Sequence, residues 1–279
     1  MRRLSGRMSL AASVQDARGV IEISLRGRLA DARGLRTDLL VASDRLGFDF
    51  SVQQDTVYRR NRRLVAFDMV STLIRAEVID ELARVHGVGD EVARVTERAM
   101  RGEIDFKESF RSRVRLLAGM RANVIEEVAA GVPLADGARR LVGALKHFGY
   151  RTAIISGGFV PLGRRLQREL GIDHVFANSL EIVNGVATGN VAGEIVDSER
   201  KAALLNEICA AEGIVPAQAI AIGDGANDLP MLSVAGLGVA FHAKPVVRAS
   251  ASHAISNFGL DSVLYLIGFR HRDIAETGM

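Results

Sequence analysis

The carboxylates of this sequence that could do chemistry follow apolar runs typical of buried strands. Asp68 ends the run LVAFD (64–68), and Asp224 ends AIAIGD (219–224), four residues before Asp228. Because the strands of a doubly wound parallel sheet present the side chains at their carboxyl ends to one crevice, we expect these three aspartates to meet there. Asp68 would serve as a carboxylate nucleophile or a metal ligand, and Asp224 and Asp228 add the hard oxygen ligands that suit Mg²⁺.

Two further segments carry groups that bind phosphate. The segment SGG (156–158) follows an apolar run, and there the Ser156 hydroxyl and the backbone N–H of Gly157 can donate to phosphate oxygens, while Lys201 adds a positive charge from a predicted helix (200–213). Taken singly, an aspartate after a strand is often an N-cap, SGG is a common turn, and a lysine is usually a surface residue. Their order along one sheet edge instead indicates a cradle for a phosphoryl group in transfer.

The elements that must position these groups form an α/β pattern. Near-continuous apolar runs, separated by helices that end at glycine, indicate a parallel sheet covered on both faces in a doubly wound, Rossmann-like arrangement. A helical stretch without a convincing strand (75–132) is too long for a simple crossover and predicts an inserted helical cap over the carboxyl edge of the sheet. The segment 176–191 predicts a β-hairpin that turns at Asn184-Gly185. The predicted strands are 64–68, 151–156, 219–224 and 237–241, and the predicted helices are 138–149, 162–170 and 200–213.

The N-terminal quarter of the chain differs from the rest in pattern and charge. Alternating runs at 19–25 and 48–54 flank an amphipathic stretch at 31–46, which predicts a small β-α-β segment unable to bury a good core alone. Residues 1–63 carry 13 arginines against 7 acidic residues, whereas the remainder carries 23 basic and 26 acidic residues. The run YRRNRR (58–63) is a candidate nucleic-acid patch. Since it lacks interleaved aromatic residues, a linker or a strap against the acidic main domain is favoured, and no nucleic-acid partner is expected.

Composition excludes some classes of protein. Hydrophobic residues make up 48% and charged residues 25% of the chain, which is usual for a soluble globular protein. No apolar run approaches the roughly 20 residues that span a bilayer, so no membrane partner is expected. The single cysteine, Cys209, cannot form an internal disulfide, which favours the cytoplasm. We predict a leader at 1–16, a β-α-β segment at 17–57, a basic linker at 58–63, a core at 64–74 and 133–270, a cap at 75–132 and a tail at 271–279.

Four segments together resemble the ordered motifs of the haloacid dehalogenase-like hydrolases: FDMVSTLI, SGGF, Lys201 and GDGANDLPML. More narrowly, four others resemble the phosphoserine phosphatases: AEVIDELA (76–83), TERAMRGEIDFKESFRSRV (96–114), FANSLEI (176–182) and AFHAKP (240–245). The resemblance covers about residues 58 to 268. It implies a Mg²⁺-dependent phosphoric monoester hydrolase that converts O-phospho-L-serine to L-serine and phosphate through an aspartyl-phosphate, the last step of L-serine biosynthesis.

The resemblance also implies a role for each matching residue of the core. Asp68 would be the nucleophile, and Lys201 would also be a catalytic residue, with its positive charge on the far side of the phosphoryl group. The phosphate would be held by the following residues: Ser156, Gly157, Lys201 and Asn227. The metal would be bound by the carboxylates of Asp68, Asp224 and Asp228 and by the main-chain oxygen of Val70.

The cap residues would recognise the serine moiety. By resemblance, Glu77 would face the ammonium group, and Arg113 would bind the carboxylate as a fork. Met100 and Phe106 would close over the bound molecule and exclude water. Without the resemblance, the plainer interpretation of Glu77 and Arg113 is a pair of solvated helix charges, and that of Met100 and Phe106 is cap core.

Val70 departs from the family pattern. That pattern is D-x-D-x-T, and its second aspartate protonates the departing oxygen and then takes a proton from the attacking water, whereas this chain reads Asp68, Met69, Val70, Ser71, Thr72. General acid–base catalysis is worth roughly 10²–10⁴-fold in rate, or about 3–5 kcal/mol. We therefore expect a site that binds Mg²⁺ and substrate but turns over slowly, because neither neighbouring hydroxyl is acidic enough to act alone.

Two alternatives to a phosphoserine phosphatase stay open. One is a phosphatase for another small phosphomonoester, and the other is a non-catalytic, phosphoserine-binding regulatory protein. The N-terminal β-α-β segment resembles part of the ACT-like region that precedes the phosphatase in some of these enzymes. Because it is shorter than a full regulatory module, packing or contact in a homodimer is its expected role.

Overall fold

The computed structural model describes residues 20–25, 27 and 30–278, and a seven-stranded sheet forms its core. The strands are β1 (Leu64–Phe67), β2 (Arg151–Phe159), β3 (His174–Val183), β4 (Val186–Ala192), β5 (Ala219–Gly223), β6 (Leu237–Phe241) and β7 (His253–Ile255). Their spatial order is β4-β3-β2-β1-β5-β6-β7. Neighbouring strands are parallel except β3 and β4, which are antiparallel. The predicted doubly wound α/β sheet is therefore confirmed.

The central strand β1 explains why its sequence is continuously apolar. It pairs with β2 on one side and with β5 on the other. Val65 and Phe67 join the hydrophobic core on one face of the sheet, while Leu64 and Ala66 join the core on the other face. Because helices cover both faces, no position in the strand is polar. Asp68 follows directly, at the point where the chain order reverses and a ligand crevice opens.

The helices divide between the two faces of the sheet and the cap. Five of them, α2 to α6 below, lie between β1 and β2, and α2 to α5 occupy the stretch 75–132 that was predicted to be helical. Their apolar faces are continuous with one of the two cores, through side chains such as Leu82 and Phe110. The helices are α1 (Ala32–Leu46), α2 (Val78–His86), α3 (Gly89–Met100), α4 (Phe106–Leu116), α5 (Ala122–Gly131), α6 (Ala138–His147), α7 (Val160–Leu170), α8 (Ser198–Ala211), α9 (Leu229–Val234), α10 (Pro245–Ser250), α11 (Val263–Leu266) and α12 (His271–Ala275).

Local backbone signals behave as the sequence predicts. Helix α7 ends at Gly171, whose φ of 73° is left-handed and whose N–H donates to the carbonyl of Gln167 at 2.9 Å. The hairpin of β3 and β4 turns at Asn184 (φ 51°) and Gly185 (φ 77°). A tight two-residue hairpin turn requires a positive φ at both positions, which is why this dipeptide marks it.

The predicted N-terminal β-α-β segment is wrong in its strands. Its helix forms as α1, but the described residues 20–25 and 48–54 contain no strand. The second run contacts the main domain through side chains instead. For example, the Gln53 amide nitrogen donates to the carbonyl of Leu266 at 2.7 Å. Alternation makes an extended chain amphipathic, but a strand also needs main-chain pairing with a neighbour, and that pairing is not made here.

The basic run at 58–63 is a folded strap rather than a free surface patch. Arg60 donates to Asp55 at 2.9 Å. The side chain of Arg62 donates to the Gln53 amide oxygen at 3.2 Å, and Arg62 is only 7% exposed. The backbone of the run contacts the main domain, because the Gln218 side chain donates to the carbonyl of Asn61 at 3.0 Å and the N–H of Arg63 donates to the carbonyl of Gln218 at 2.9 Å. These contacts support the interpretation of a strap packed against the main domain.

The two ends of the chain fare differently. The predicted leader at 1–16 lies outside the described residues. The predicted tail at 271–279 includes a helix, α12, whose Ile274 side chain is buried in a hydrophobic core. One apolar side chain on the inner face of a short helix is enough to hold it against the domain. In the part of the chain that the structure describes, no helix has the length and apolar character needed to cross a membrane.

Candidate active site

Asp68, Asp224 and Asp228 meet at the carboxyl ends of the two central strands, β1 and β5. Each offers one carboxylate oxygen, and these atoms lie within 4.8 Å of one another. The backbone N–H of Asp68 donates to the carbonyl of Ile222 at 2.8 Å, which holds the end of β1 beside β5. A Cβ at Gly223 would collide with the Asp228 carboxylate, so the glycine lets that side chain fold under the strand end.

Lys201 is the cation of this cluster. It is fully buried on α8, and its Nζ donates to Asp68 Oδ1 at 2.7 Å and to Asp228 Oδ1 at 2.6 Å. Burial lowers the pKa of Lys201, but the charges of Asp68 and Asp228 outweigh burial and raise that pKa above its usual value. The lysine is therefore charged and holds Asp68 in a fixed position. The interpretation of Lys201 as a surface lysine is excluded.

The carboxylates outnumber the cation, and their pKa values reflect the excess. Burial, reinforced by the charge of Asp68, raises the pKa of Asp224 to about 7. The same two causes raise the pKa of Asp228 in spite of its hydrogen bond to Lys201. Asp224 has a weaker partner in Thr72, whose hydroxyl donates to it at 3.4 Å. The folded chain thus carries more negative charge at this point than its own residues neutralise.

This donor set fits a metal ion. Three carboxylates that converge within 4.8 Å, with only one lysine to balance them, supply hard oxygen ligands and a charge that a divalent cation would compensate. The main-chain oxygen of Val70, predicted as a further ligand, lies on the loop that follows β1. The cation would favour the ionised form of Asp224, whose carboxylate forms no ion pair with a lysine or arginine among the described residues.

The SGG segment lies at the carboxyl end of β2, where a phosphate would contact it. Ser156 is buried, and its hydroxyl accepts from the N–H of Gly158 at 3.1 Å. The carbonyl of Gly157 accepts from the Asn178 side chain at 2.8 Å, and the same side chain accepts from the N–H of Val196 at 2.8 Å. Sequence reasoning missed Asn178 as a positioning residue. The available signal in the sequence was a single asparagine within the mostly apolar run of β3, which the structure shows to be buried.

The cap reaches the SGG segment through the first turn of α4. Phe106 stacks on Phe110, with ring centroids 6.1 Å apart, and a Cβ on Gly157 would lie 3.3 Å from the Phe106 ring. One residue further, Lys107 forms an ion pair with Asp197, the N-cap residue of α8, at 2.8 Å. The cap and the core are therefore in contact above the crevice, and Lys107 and Asp197 are a cap–core pair that the sequence did not reveal.

Two cap residues of opposite charge face the same side of the crevice. Glu77 precedes α2, and its Oε1 accepts from the Ser71 hydroxyl at 3.4 Å. Burial raises the pKa of Glu77, with further contributions from the charges of Asp80 and Asp68. Arg113 is half-buried on α4, and its Nε is buried without a hydrogen-bond partner among the described residues. Burial lowers the pKa of Arg113. A buried N–H without a hydrogen-bond partner costs free energy, so the Arg113 Nε is a donor that an anionic ligand could satisfy.

Met100 and Asn227 are less engaged. Met100 ends α3 and is 73% exposed, so its predicted closure over the site is not formed in this structure. A long, flexible side chain at a helix end can close only when a ligand gives it an apolar surface to cover. Asn227 is half-buried in the short 3₁₀ turn that delivers Asp228, on the same side of the crevice as the carboxylate cluster.

Val70 lies beside the SGG segment (156–158). A Cβ on Gly158 would be 3.3 Å from Val70 Cγ2, so the isopropyl group faces the SGG segment at the end of β2. The next residue, Ser71, has a φ of 58°, a left-handed conformation that non-glycine residues adopt rarely and mostly at functional sites. The chain thus bends sharply after Val70 and directs the Ser71 hydroxyl toward the cap.

Comparison with known proteins identifies the group to which these features belong. A family model described as haloacid dehalogenase-like hydrolase matches residues 65–233. Phosphoserine phosphatase from Archaeoglobus fulgidus is 49% identical over 85% of this chain and 70% of its own, and that from Streptomyces coelicolor is 49% identical over 91% and 62%. The chain therefore spans about two thirds of the length of these curated relatives.

A solved structure shows a similar fold. The unliganded structure of a probable phosphoserine phosphatase from Vibrio cholerae superposes with a TM-score of 0.76 at 38% identity, covering 91% of this chain and 76% of that one. The region that the family model matches, residues 65–233, includes the strand ends that carry Asp68, Ser156 and Asp224, together with Lys201. This chain belongs to the haloacid dehalogenase-like hydrolase family.

Proposed function

We propose that this chain is a phosphoserine phosphatase that hydrolyses O-phospho-L-serine to L-serine and phosphate. One observation supports the proposal above all others: Lys201 fixes Asp68 at 2.7 Å at the centre of a carboxylate cluster, under a cap that presents Glu77 and Arg113. A cluster of this kind suits phosphoryl transfer, and one acid with one base suits a zwitterionic amino acid. The two relatives at 49% identity are named phosphoserine phosphatases, which supports the same proposal.

In the first step, Asp68 would attack phosphorus. Lys201 binds Oδ1 of Asp68, which leaves Oδ2 as the attacking atom. The bond between Asp68 and phosphorus forms as the bond from phosphorus to the serine oxygen breaks. Ser156, Gly157 and Asn227 would hold the phosphoryl oxygens, and Lys201 would stabilise the charge that develops on them.

In the second step, water would hydrolyse the aspartyl-phosphate and regenerate Asp68. Both steps need proton transfer, to the departing serine oxygen and then from the attacking water. Valine at position 70 can do neither. We propose that the chain binds its substrate and that Asp68 attacks it, but that turnover is slow because position 70 carries no proton-transferring group.

A divalent metal would complete the site, and we propose Mg²⁺. The residues that would bind it are Asp68, Asp224 and Asp228, with the main-chain oxygen of Val70. When bound, such an ion neutralises charge on the phosphoryl oxygens and on the carboxylates. Hard oxygen ligands without a cysteine or histidine favour Mg²⁺ over softer metals.

The test uses substitutions of similar size at position 70. Val70→Asp supplies the proton donor, and Val70→Asn has the same shape without an ionisable group. With Mg²⁺ and O-phospho-L-serine, we expect phosphate release by Val70→Asp to exceed that of the parent by roughly 10²–10⁴-fold. Val70→Asn is expected to stay within about threefold of the parent. The proposal fails if Val70→Asp releases no phosphate from phosphoserine.

The presence of Val70 favours a second candidate, a non-catalytic phosphoserine-binding protein. Such a protein would bind phosphoserine without breaking its phosphate ester. The parent chain distinguishes the two in a single turnover, because a binding protein leaves every phosphoserine molecule intact, whereas a slow phosphatase releases one serine for each active site. A cytoplasmic location, which the lone Cys209 favours, and a homodimer are further parts of the proposal.

A further inference from the structure

Glu77 is placed differently from the three aspartates of the cluster. Those three are engaged with Lys201, with Thr72 or with one another. Glu77 instead stands on the opposite, cap side, and within the described ranges no lysine, arginine or histidine forms an ion pair with it. Its contact with the loop after β1 (68–72) is with the Ser71 hydroxyl, at 3.4 Å. This is the loop in which valine replaces the expected proton-carrying side chain.

This contact is made from an unusual backbone position. Ser71, the residue after Val70, has a left-handed φ of 58°. Its hydroxyl, which is itself able to pass a proton, therefore follows position 70 directly in the chain and contacts the Glu77 carboxylate.

The electrostatic surroundings suit a group that exchanges a proton. The charged groups that face Glu77 are Asp80 from its own helix, Asp68 and Asp224 from the core, and Arg113 from α4. Burial and the two acids Asp80 and Asp68 raise the pKa of Glu77, while Arg113 and the Ser71 bond oppose them. The influence of Asp68 also means that the carboxyl lies within electrostatic reach of the nucleophile.

We propose that Glu77, alone or through the Ser71 hydroxyl, performs the proton transfers that Val70 cannot. This proposal depends on the proposed phosphatase function. In the first step, the carboxyl proton of Glu77 passes to the serine oxygen as its bond to phosphorus breaks. In the second, water attacks phosphorus, its proton passes to the Glu77 carboxylate, and the bond from phosphorus to Asp68 breaks. Both residues are then restored, so the cycle balances without another reactant.

The rival role of Glu77 is to bind the ammonium group of the substrate and nothing more. The two roles separate with a substrate that has no ammonium group. p-Nitrophenyl phosphate is such a substrate, and its leaving group departs without needing a proton. A residue that binds only ammonium is irrelevant to its turnover, whereas a residue that activates water still limits the second step.

The decisive experiment compares Glu77→Gln in the parent and in the Val70→Asp background. Glutamine keeps the size and the hydrogen-bond acceptor of Glu77 and removes the exchangeable proton. In the parent, we expect kcat for p-nitrophenyl phosphate to fall by roughly 10²-fold, while the first-turnover burst of nitrophenolate persists. In the Val70→Asp background, we expect a fall in kcat of less than about threefold, because the restored carboxyl carries the protons.

Glu81→Gln is the matched control. Glu81 lies on the same helix, where it forms a surface ion pair with Arg84 at 2.9 Å, and its loss should leave kcat unchanged in both backgrounds. Thermal unfolding of every variant by circular dichroism identifies any that fails to fold, and Glu77→Asp then serves as the replacement variant, with partial activity expected.

Two results would overturn the proposal. One is an unchanged turnover of p-nitrophenyl phosphate by Glu77→Gln in the parent. The other is an equal loss in both backgrounds, which would mean that Glu77 does not stand in for position 70. An inactive Val70→Asp protein is a distinct outcome, since it would refute the phosphatase function itself and this inference with it.

Discussion

Removing the metal should make the stability of this protein strongly dependent on pH, because Asp224 is then ionised without compensation. Its pKa is about 7 in the folded chain, against an ordinary value of 3.8. An acid whose pKa is higher in the folded than in the unfolded state binds more protons when folded, so stability falls as pH rises from about 4 to about 7. At about 1.4 kcal/mol per pKa unit, this group alone costs about 4 kcal/mol above pH 7.

The assay is thermal unfolding in EDTA across this range, for the parent and for Asp224→Asn. Asparagine has the same shape, still accepts from Thr72, and has no charge to desolvate. For a chain of this size, about 4 kcal/mol corresponds to a Tm difference of about 10 °C. We expect Asp224→Asn to be more stable than the parent by about that amount at pH 8, and the two proteins to converge near pH 4.

Added Mg²⁺ provides the second half of the test. A cation bound by the cluster should raise the Tm of the parent at pH 8 and have little effect on Asp224→Asn, which lacks one ligand. The reasoning is refuted if the Tm difference between the two proteins in EDTA does not vary with pH, or if Mg²⁺ raises both Tm values equally.

Two further predictions concern the cap. Lys107→Met breaks the ion pair with Asp197 between cap and core. Because Lys107 is 47% exposed, we expect almost no change in stability, whereas KM for phosphoserine should rise by up to about fivefold, with a weaker salt dependence of KM than in the parent. An unchanged KM and an unchanged salt dependence would show that the pair does not hold the cap. Arg113→Lys keeps the charge but loses the fork, so KM for phosphoserine should rise by about 10–100-fold while that for p-nitrophenyl phosphate stays constant, and an equal effect on both substrates would contradict carboxylate recognition.

The sheet could be predicted from sequence because its central strand obeys a simple rule. A strand covered by helices on both faces must be apolar at every position, and LVAF is. The aspartates then follow from topology, since side chains after parallel strands share one edge. The hairpin at Asn184-Gly185 follows from backbone sterics. These are local or topological constraints, and local sequence carries them.

The features that escaped prediction depend on neighbours distant in sequence. Residues 48–54 alternate as a strand does, but no main-chain partner pairs with them. Lys201 was predicted as a site residue, but its full burial at 2.7 Å from Asp68, 133 residues away, depends on the fold. The left-handed backbone at Ser71 could not be predicted either, because a positive φ is common for glycine but rare for serine. It is from this residue that a hydroxyl contacts Glu77, at 3.4 Å.

The most direct measurement of the central claim is the intact mass of the parent chain after incubation with Mg²⁺ and O-phospho-L-serine. If Asp68 is a nucleophile and Val70 slows the second step, the spectrum will show one added phosphoryl group, and peptide mapping will place it on Asp68. The Asp68→Asn variant should show none. An unmodified parent that also releases no serine, or a phosphoryl group on any other residue, would contradict the account.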